Sequence, residues 1–240
     1  MRVGLAGLGT VGVGVAKVLL GNARALNGRA GRGITITAVS ARSANKDRGV
    51  DLSGVPFEKN PLAIAERPDV DVVVELIGGE EGTAWALVET ALAAKKHVVT
   101  ANKALLAVHG TEIFAAAQAK GVMVAFEAAV AGGIPIIKAL REGLTANQIQ
   151  WVAGIINGTT NFILSEMRDK GLDFDVVLKE AQRLGYAEAD PTFDIEGVDA
   201  AHKATLMSAL AYGIPVQFDK AHVEGITRLG AADRSEEHTS

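Results

Sequence analysis

Along the first half of the chain, short β-branched apolar runs alternate with alanine-rich stretches of helical period. "RVGLAG", "ITITAVS", "DVVVELIG", "HVVTAN" and "VMVAF" read as strands, with "VGVAKVLLGNARAL", "AWALVETALAAK" and "EIFAAAQAK" as helices between them. The strand runs are apolar throughout instead of alternating, as in strands covered on both faces, so the pattern predicts a doubly wound parallel α/β domain over residues 1–130. The pattern changes after "AFEAAVAGGIP". Beyond it, one strand, "IQWVAGII", and three helices starting near Gly158, Asp173 and Val198 predict an α+β second domain over residues 131–233. No internal repeat, low-complexity tract or proline-rich linker interrupts this organisation.

Composition narrows the function classes. A chain of 240 residues with 48% apolar composition buries a sizeable core and is not a disordered segment. Its net charge of -4 argues against a nucleic-acid binder, which needs a basic face to neutralise phosphates, and favours small-molecule partners. Without cysteine there is no disulfide framework and no thiolate nucleophile or ligand. The start "MRVGLAGLG" has no apolar signal region, and no run reaches the roughly 18 residues of a membrane span, so a cytoplasmic protein is expected.

Gly7-Leu8-Gly9-Thr10-Val11-Gly12 falls between the first strand and the first helix. In that context the glycines of a GxGxxG turn let backbone amides approach a pyrophosphate at a helix N-terminus, the Rossmann dinucleotide device; taken alone the pattern also fits a plain glycine-rich turn. The acidic residue that grips a ribose 2'-hydroxyl is missing after the second strand. "SARSANKDRG" offers Arg42, Ser43, Lys46 and Arg48 instead, which predicts NADP with NAD as the secondary cofactor, or else a solvated basic loop. Lys103 follows the "HVVTAN" strand, where ligands gather in open α/β sheets, though a loop lysine is more often solvated.

Asp199 and Lys203 are spaced i,i+4 on the last expected helix, ordinarily the mark of a surface ion pair. "FEAAVAGGIPII" leaves several carbonyls without ladder partners, as a hard monovalent cation or an ordinary hinge requires. "NGTTNF" opens a helix with Thr159 and Thr160 near the cleft, where it either meets a substrate carboxylate or only caps the helix, and Gly185 fits a helix C-cap after "EAQRL". The histidines show no metal pattern, and Trp85, Trp151 and the four methionines are expected in the core.

The blocks "GLGTVG", "TANKALLA", "EAAVAGGIPII", "GIINGTTNFIL" and "AQRLGYAEADPTFDIEGVDAAHK", in this order, resemble the homoserine dehydrogenase family over most of residues 1–230. The resemblance implies interconversion of L-homoserine and L-aspartate 4-semialdehyde, in the route to threonine, methionine and isoleucine. It implies Lys203 as the acid/base residue, with Lys103 facing the same substrate oxygen, and Glu188 and Asp199 as substrate ligands. Asp194 falls where the family is commonly acidic and either orients Lys203 or has a capping or solvated role; Gly185 would let backbone approach the cofactor. A sodium ion would be held by main-chain oxygens of Glu127, Val130, Gly132 and Ile134. The full-length family form is expected to be a homodimer. Members usually continue past "EGITRLG", so the second domain is expected to be incomplete and the tail "RSEEHTS", residues 234–240, not native. The alternatives are a nucleotide-binding fragment without turnover, or another amino-acid or semialdehyde dehydrogenase on the same scaffold.

Overall fold

The computed structural model describes residues 1–230; the expected non-native tail, 234–240, lies outside the described residues. The chain divides into two compact units, Met1–Thr145 and the part from Ala146 onward.

The first unit is built on a six-stranded parallel sheet in the order β3-β2-β1-β4-β5-β6. Its strands are β1 (Arg2–Ala6), β2 (Thr35–Ser40), β3 (Phe57–Glu58), β4 (Val72–Glu75), β5 (His97–Thr100) and β6 (Val124–Ala125). All five runs read as strands from the sequence are present, and the two-residue β3 is an addition too short to leave a pattern. The valines of β4 are buried on both faces, as a continuous apolar run demands. From β1 the chain moves outward to β2 and β3, then returns to β4 on the other side of β1, so a crevice opens at the carboxyl ends of β1 and β4.

The helices of this unit are α1 (Thr10–Gly21), α2 (Ala23–Ala30), α3 (Leu62–Glu66), α4 (Thr83–Ala93), α5 (Lys103–Lys120) and α6 (Ile136–Lys138). The single helix expected over "VGVAKVLLGNARAL" is two, because Asn22 leaves helical geometry at φ -107°, ψ 16° just after Gly21. α5 begins well before "EIFAAAQAK", where the Asn102 side chain accepts from the Leu105 amide and caps it. The compact unit extends beyond residue 130 to include α6, whose Ile137 and Lys138 amides donate to the Glu127 carboxylate at 3.1 and 2.9 Å.

The second unit holds α7 (Gly158–Lys170), α8 (Phe174–Leu184), α9 (Thr192–Ile195) and α10 (Val198–Tyr212). The expected strand "IQWVAGII" is not one: among the described residues of this unit no strand offers it a ladder partner, and its residues lie in neither helix nor sheet. Trp151 and Ile155 in that run are 73% and 82% exposed, so the core role expected for Trp151 is also corrected. Met1 and Met123 are likewise exposed, while Met167 and Met207 are buried. Ile163, Met167, Val177, Ala181 and Ile195 form the core between the helices, and Phe162 stacks on Tyr186 with ring centroids 4.4 Å apart.

Candidate functional site

The glycine turn has the shape that a phosphate cradle needs. Gly7 sits at φ +101°, and a Cβ there would come within 2.4 Å of the Leu76 carbonyl oxygen. A Cβ on Gly12 would lie 1.9 Å from the Gly7 carbonyl oxygen, so only glycine lets α1 start this close to β1. Around Gly9 there is open space within 4 Å. Thr10 is the first residue of α1, and Val11 is exposed on it. The turn forms part of a cleft of about 720 Å³ whose lining also includes Arg42, Ser43, Lys46, Lys59 and Ile77.

Arg48 braces this cleft. Its guanidinium donates to the carbonyl oxygens of Leu8 at 3.3 Å, Lys46 at 2.8 Å and Ser43, tying the loop after β2 to the glycine turn. Arg48 is half-buried with three of its N–H groups on backbone, whereas Arg42, Lys46 and Lys59 are the exposed cations of the lining. The residues present therefore fit a dinucleotide: open backbone at the turn, a helix N-terminus beside it and cations beyond. Lys59 was not singled out from the sequence, since nothing local marks a lysine after a two-residue strand.

Lys103 is the first residue of α5, at the carboxyl end of β5. Its approach is fixed by Asn102, whose backbone amide donates to Thr100 Oγ1 at 2.9 Å and whose side chain donates to the Gly79 carbonyl at 2.6 Å.

In the second unit a polar network is closed around α10. Lys203 Nζ donates to Asp199 Oδ2 and to the Ile156 carbonyl oxygen, both at 2.6 Å. The Asn157 amide donates to Asp199 Oδ2 at 2.8 Å and to Asp194 Oδ1 at 2.7 Å, while its oxygen caps α7 at the Thr160 amide. Thr159 Oγ1 donates to Asp194 Oδ2 at 2.9 Å or to the Tyr186 carbonyl at 2.8 Å. Asp199 is 4% exposed and Asn157 7%, so this is not a solvated surface pair. One amine held between a carboxylate and a backbone carbonyl near a sheltered helix start is an arrangement that can move a proton to or from a hydroxyl or carbonyl substrate.

A sequence model described as "Homoserine dehydrogenase, NAD binding domain" matches residues 7–127, and one described as "Homoserine dehydrogenase" matches 135–240. The chain belongs to the homoserine dehydrogenase family. It is 60% identical to the homoserine dehydrogenase of Pseudomonas aeruginosa over 97% of this chain and 53% of that relative, so it spans about half the length of the curated relatives it matches. The crystal structure of a homoserine dehydrogenase from Thiobacillus denitrificans superposes with a TM-score of 0.93 at 63% identity, covering 99% of this chain and 55% of that one. A hyperthermophilic archaeal homoserine dehydrogenase in complex with NADPH gives 0.81 at 26% identity, covering 96% and 75%.

Within this member of the homoserine dehydrogenase family, the second unit brings Asp194, Asp199 and Lys203 together, and adds Asn157, which sequence reasoning missed although "NG" before an apolar run marks an N-cap. Glu188 is exposed, and its carbonyl accepts from the Gln182 amide at 3.1 Å. Gly185 ends α8 at φ +81°, the C-cap geometry its place after "EAQRL" fits. Around Val130–Ile134 the backbone turns at Ala131, φ +49°, and the Ile134 carbonyl accepts from Ile136. The Glu127 carboxylate accepts from the first amides of α6. Among the described residues no cluster of His, Asp or Glu has a metal-binding arrangement, and no helix is long and apolar enough to cross a membrane.

Proposed function

We propose that the whole protein is an NADP-dependent homoserine dehydrogenase that interconverts L-homoserine and L-aspartate 4-semialdehyde in the cytoplasmic route to threonine, methionine and isoleucine. The observation that carries this reading is the sheltered Lys203–Asp199 pair, fixed from outside α10 by Asn157 and the Ile156 carbonyl. A nicotinamide bound in the cleft would supply the hydride acceptor, and Lys203 Nζ, in its neutral form, would take the hydroxyl proton of homoserine as the carbinol carbon is oxidised to a carbonyl; in the other direction the ammonium form would return that proton. Lys103 is proposed as a second catalytic cation that stabilises negative charge developing on the oxygen. Asp199 and Glu188 are proposed to hold the substrate's ammonium and hydroxyl groups, and Asp194 to orient the network through Asn157.

Gly7, Gly9, Thr10, Val11 and Gly12 hold the pyrophosphate in this reading, with Gly185 as a further cofactor contact. The 2'-phosphate is assigned to Arg42, supported by Lys46 and Lys59 beside it and by the lack of a carboxylate gripping the ribose. A sodium ion on main-chain oxygens of Glu127, Val130, Gly132 and Ile134 is proposed as well, supported by a donor set without nitrogen or sulfur. A small-molecule substrate in place of nucleic acid is supported by the net charge of -4. For the full-length protein we propose a homodimer, which the outward-facing Trp151 and Ile155 support. Nicotinamide absorbance followed with L-homoserine and either cofactor tests the function. Reduction with NADP faster than with NAD supports it, whereas nucleotide binding without turnover would reduce the chain to a cofactor-binding fragment.

A further inference from the structure

Glu75 ends β4 and is 0% exposed, yet it has no part in the chemistry proposed above. A carboxyl group at the end of a buried valine run must find donors or carry its full desolvation cost. Three donors meet it. Oε1 accepts from the amides of Ile77 at 2.7 Å and Gly78 at 3.1 Å, and Oε2 accepts from the Thr100 hydroxyl at 2.6 Å. Thr100 stands opposite Glu75 in the β4–β5 register, and its oxygen accepts from the Asn102 amide at 2.9 Å. Asn102 in turn donates to the Gly79 carbonyl at 2.6 Å and caps α5 just where Lys103 begins it. The segments after two neighbouring strands are therefore one hydrogen-bonded body centred on a single carboxyl group.

That body is also a wall of the cofactor cleft. Leu76, Ile77 and Thr83 line the cleft together with the glycine turn, and the Leu76 carbonyl is the atom against which Gly7 packs. An apolar residue at the end of β4 would satisfy the core without burying a carboxyl group, so what Glu75 contributes is the shape of the loop.

We propose that Glu75 is a positioning residue for the dinucleotide: it fixes the Ile77 and Gly78 backbone and, through Thr100 and Asn102, the start of α5, as the wall that the cofactor beyond its 2'-phosphorylated adenosine must meet. The inference rests on the NADP reading. In that reading the adenosine end is held by Arg42, Lys46 and Lys59, which lie outside the Glu75 network, so the two ends of the ligand depend on different residues.

Glu75→Gln keeps the size of the side chain but turns an amide NH2 either toward the Ile77 and Gly78 amides or toward Thr100, whose hydroxyl hydrogen then loses its acceptor. Thr100→Val removes the relay with little change of volume, and Thr100→Ser keeps the hydroxyl. The full 240-residue chain is titrated with NADPH, by the fluorescence of the bound ligand, and with adenosine 2',5'-bisphosphate, by calorimetry. Glu75→Gln and Thr100→Val should each weaken NADPH by about tenfold and leave the bisphosphate within about twofold of the parent, while Thr100→Ser binds both nearly as the parent does. Equal weakening of both ligands would mean a damaged fold and overturn the proposal, as would unchanged NADPH binding in both Glu75→Gln and Thr100→Val. A parent chain that fails to bind NADPH would overturn the cofactor reading and this inference with it.

Discussion

Asp199 and Lys203 form a 2.6 Å ion pair in which the carboxylate side chain is 6% exposed and the amine 17%. One turn apart on a helix, such a pair is commonly worth a few tenths of a kcal/mol. Here Asn157 and the Ile156 carbonyl close the pair from outside the helix. Asp199→Asn keeps the shape and removes the counter-charge, leaving the Lys203 amine sheltered beside a neutral amide. We expect a loss in kcat of about a hundredfold and a loss of stability of about 1–3 kcal/mol, read by steady-state kinetics and denaturant melts. A variant with parental kcat would make the pair purely structural.

The glycines of the turn separate into two kinds. A Cβ on Gly12 collides with the Gly7 carbonyl, whereas one on Gly9 meets nothing within 4 Å. Gly12→Ala should lower stability by about 1–3 kcal/mol and weaken NADPH binding. Gly9→Ala should melt like the parent yet still weaken NADPH, because the added methyl occupies space left for the ligand. Thermal melts paired with ligand titration check this. A Gly9→Ala chain that binds NADPH as the parent does would remove the phosphate from that turn.

Cofactor preference is assigned to the cations after β2. Replacing Arg42 by aspartate puts a carboxylate where a 2'-phosphate is proposed to sit, so the Kd for NADPH should rise by about thirtyfold or more while that for NADH changes by less than about threefold. Equal effects on the two ligands would contradict the assignment.

His109 joins α5 to the loop before α4: Nε2 lies 2.9 Å from Glu81, Nδ1 3.2 Å from Glu112, and the ring stacks on Trp85 at 4.3 Å. Burial of the ring opposes protonation, but the hydrogen bonds to Glu81 and Glu112 outweigh it and hold the pKa above its ordinary 6.5. A pKa raised on folding contributes stability that is fully present below 6.5 and is lost as pH rises through the higher folded value. Both carboxylates are about two-thirds exposed, so the contribution is on the order of 0.5 kcal/mol. Melts from acid to alkaline pH should show the parent losing this increment while His109→Gln does not. Parallel curves would exclude the histidine as the source.

Much of the nucleotide unit was legible because its strands are continuous apolar runs and three of its helices, α1, α2 and α5, end at Gly21, Gly31 and Gly121. The glycine motif, Arg42 and Lys103 were placed by the rule that ligands gather at strand ends. Contacts made over long sequence distances were not legible. Glu75 and Thr100 are 25 positions apart and Asn157 and Asp199 are 42 apart, so no local pattern links them. A glutamate closing the valine run of β4 was a visible sign of a buried acceptor, but its Thr100 donor emerges only from the strand register. "IQWVAGII" had the composition of a strand, and composition cannot supply the neighbouring strand that a ladder needs.

Lys203 is the proposed proton-transfer residue, and the decisive measurement is the rate of L-homoserine-dependent NADP reduction by Lys203→Ala, taken together with its NADPH Kd. We expect a rate below about a tenth of the parent's, a barrier raised by more than roughly 1.4 kcal/mol, with the Kd within about twofold because the dinucleotide is proposed to be held by other residues. A variant that keeps more than about a tenth of the parental rate would contradict that role.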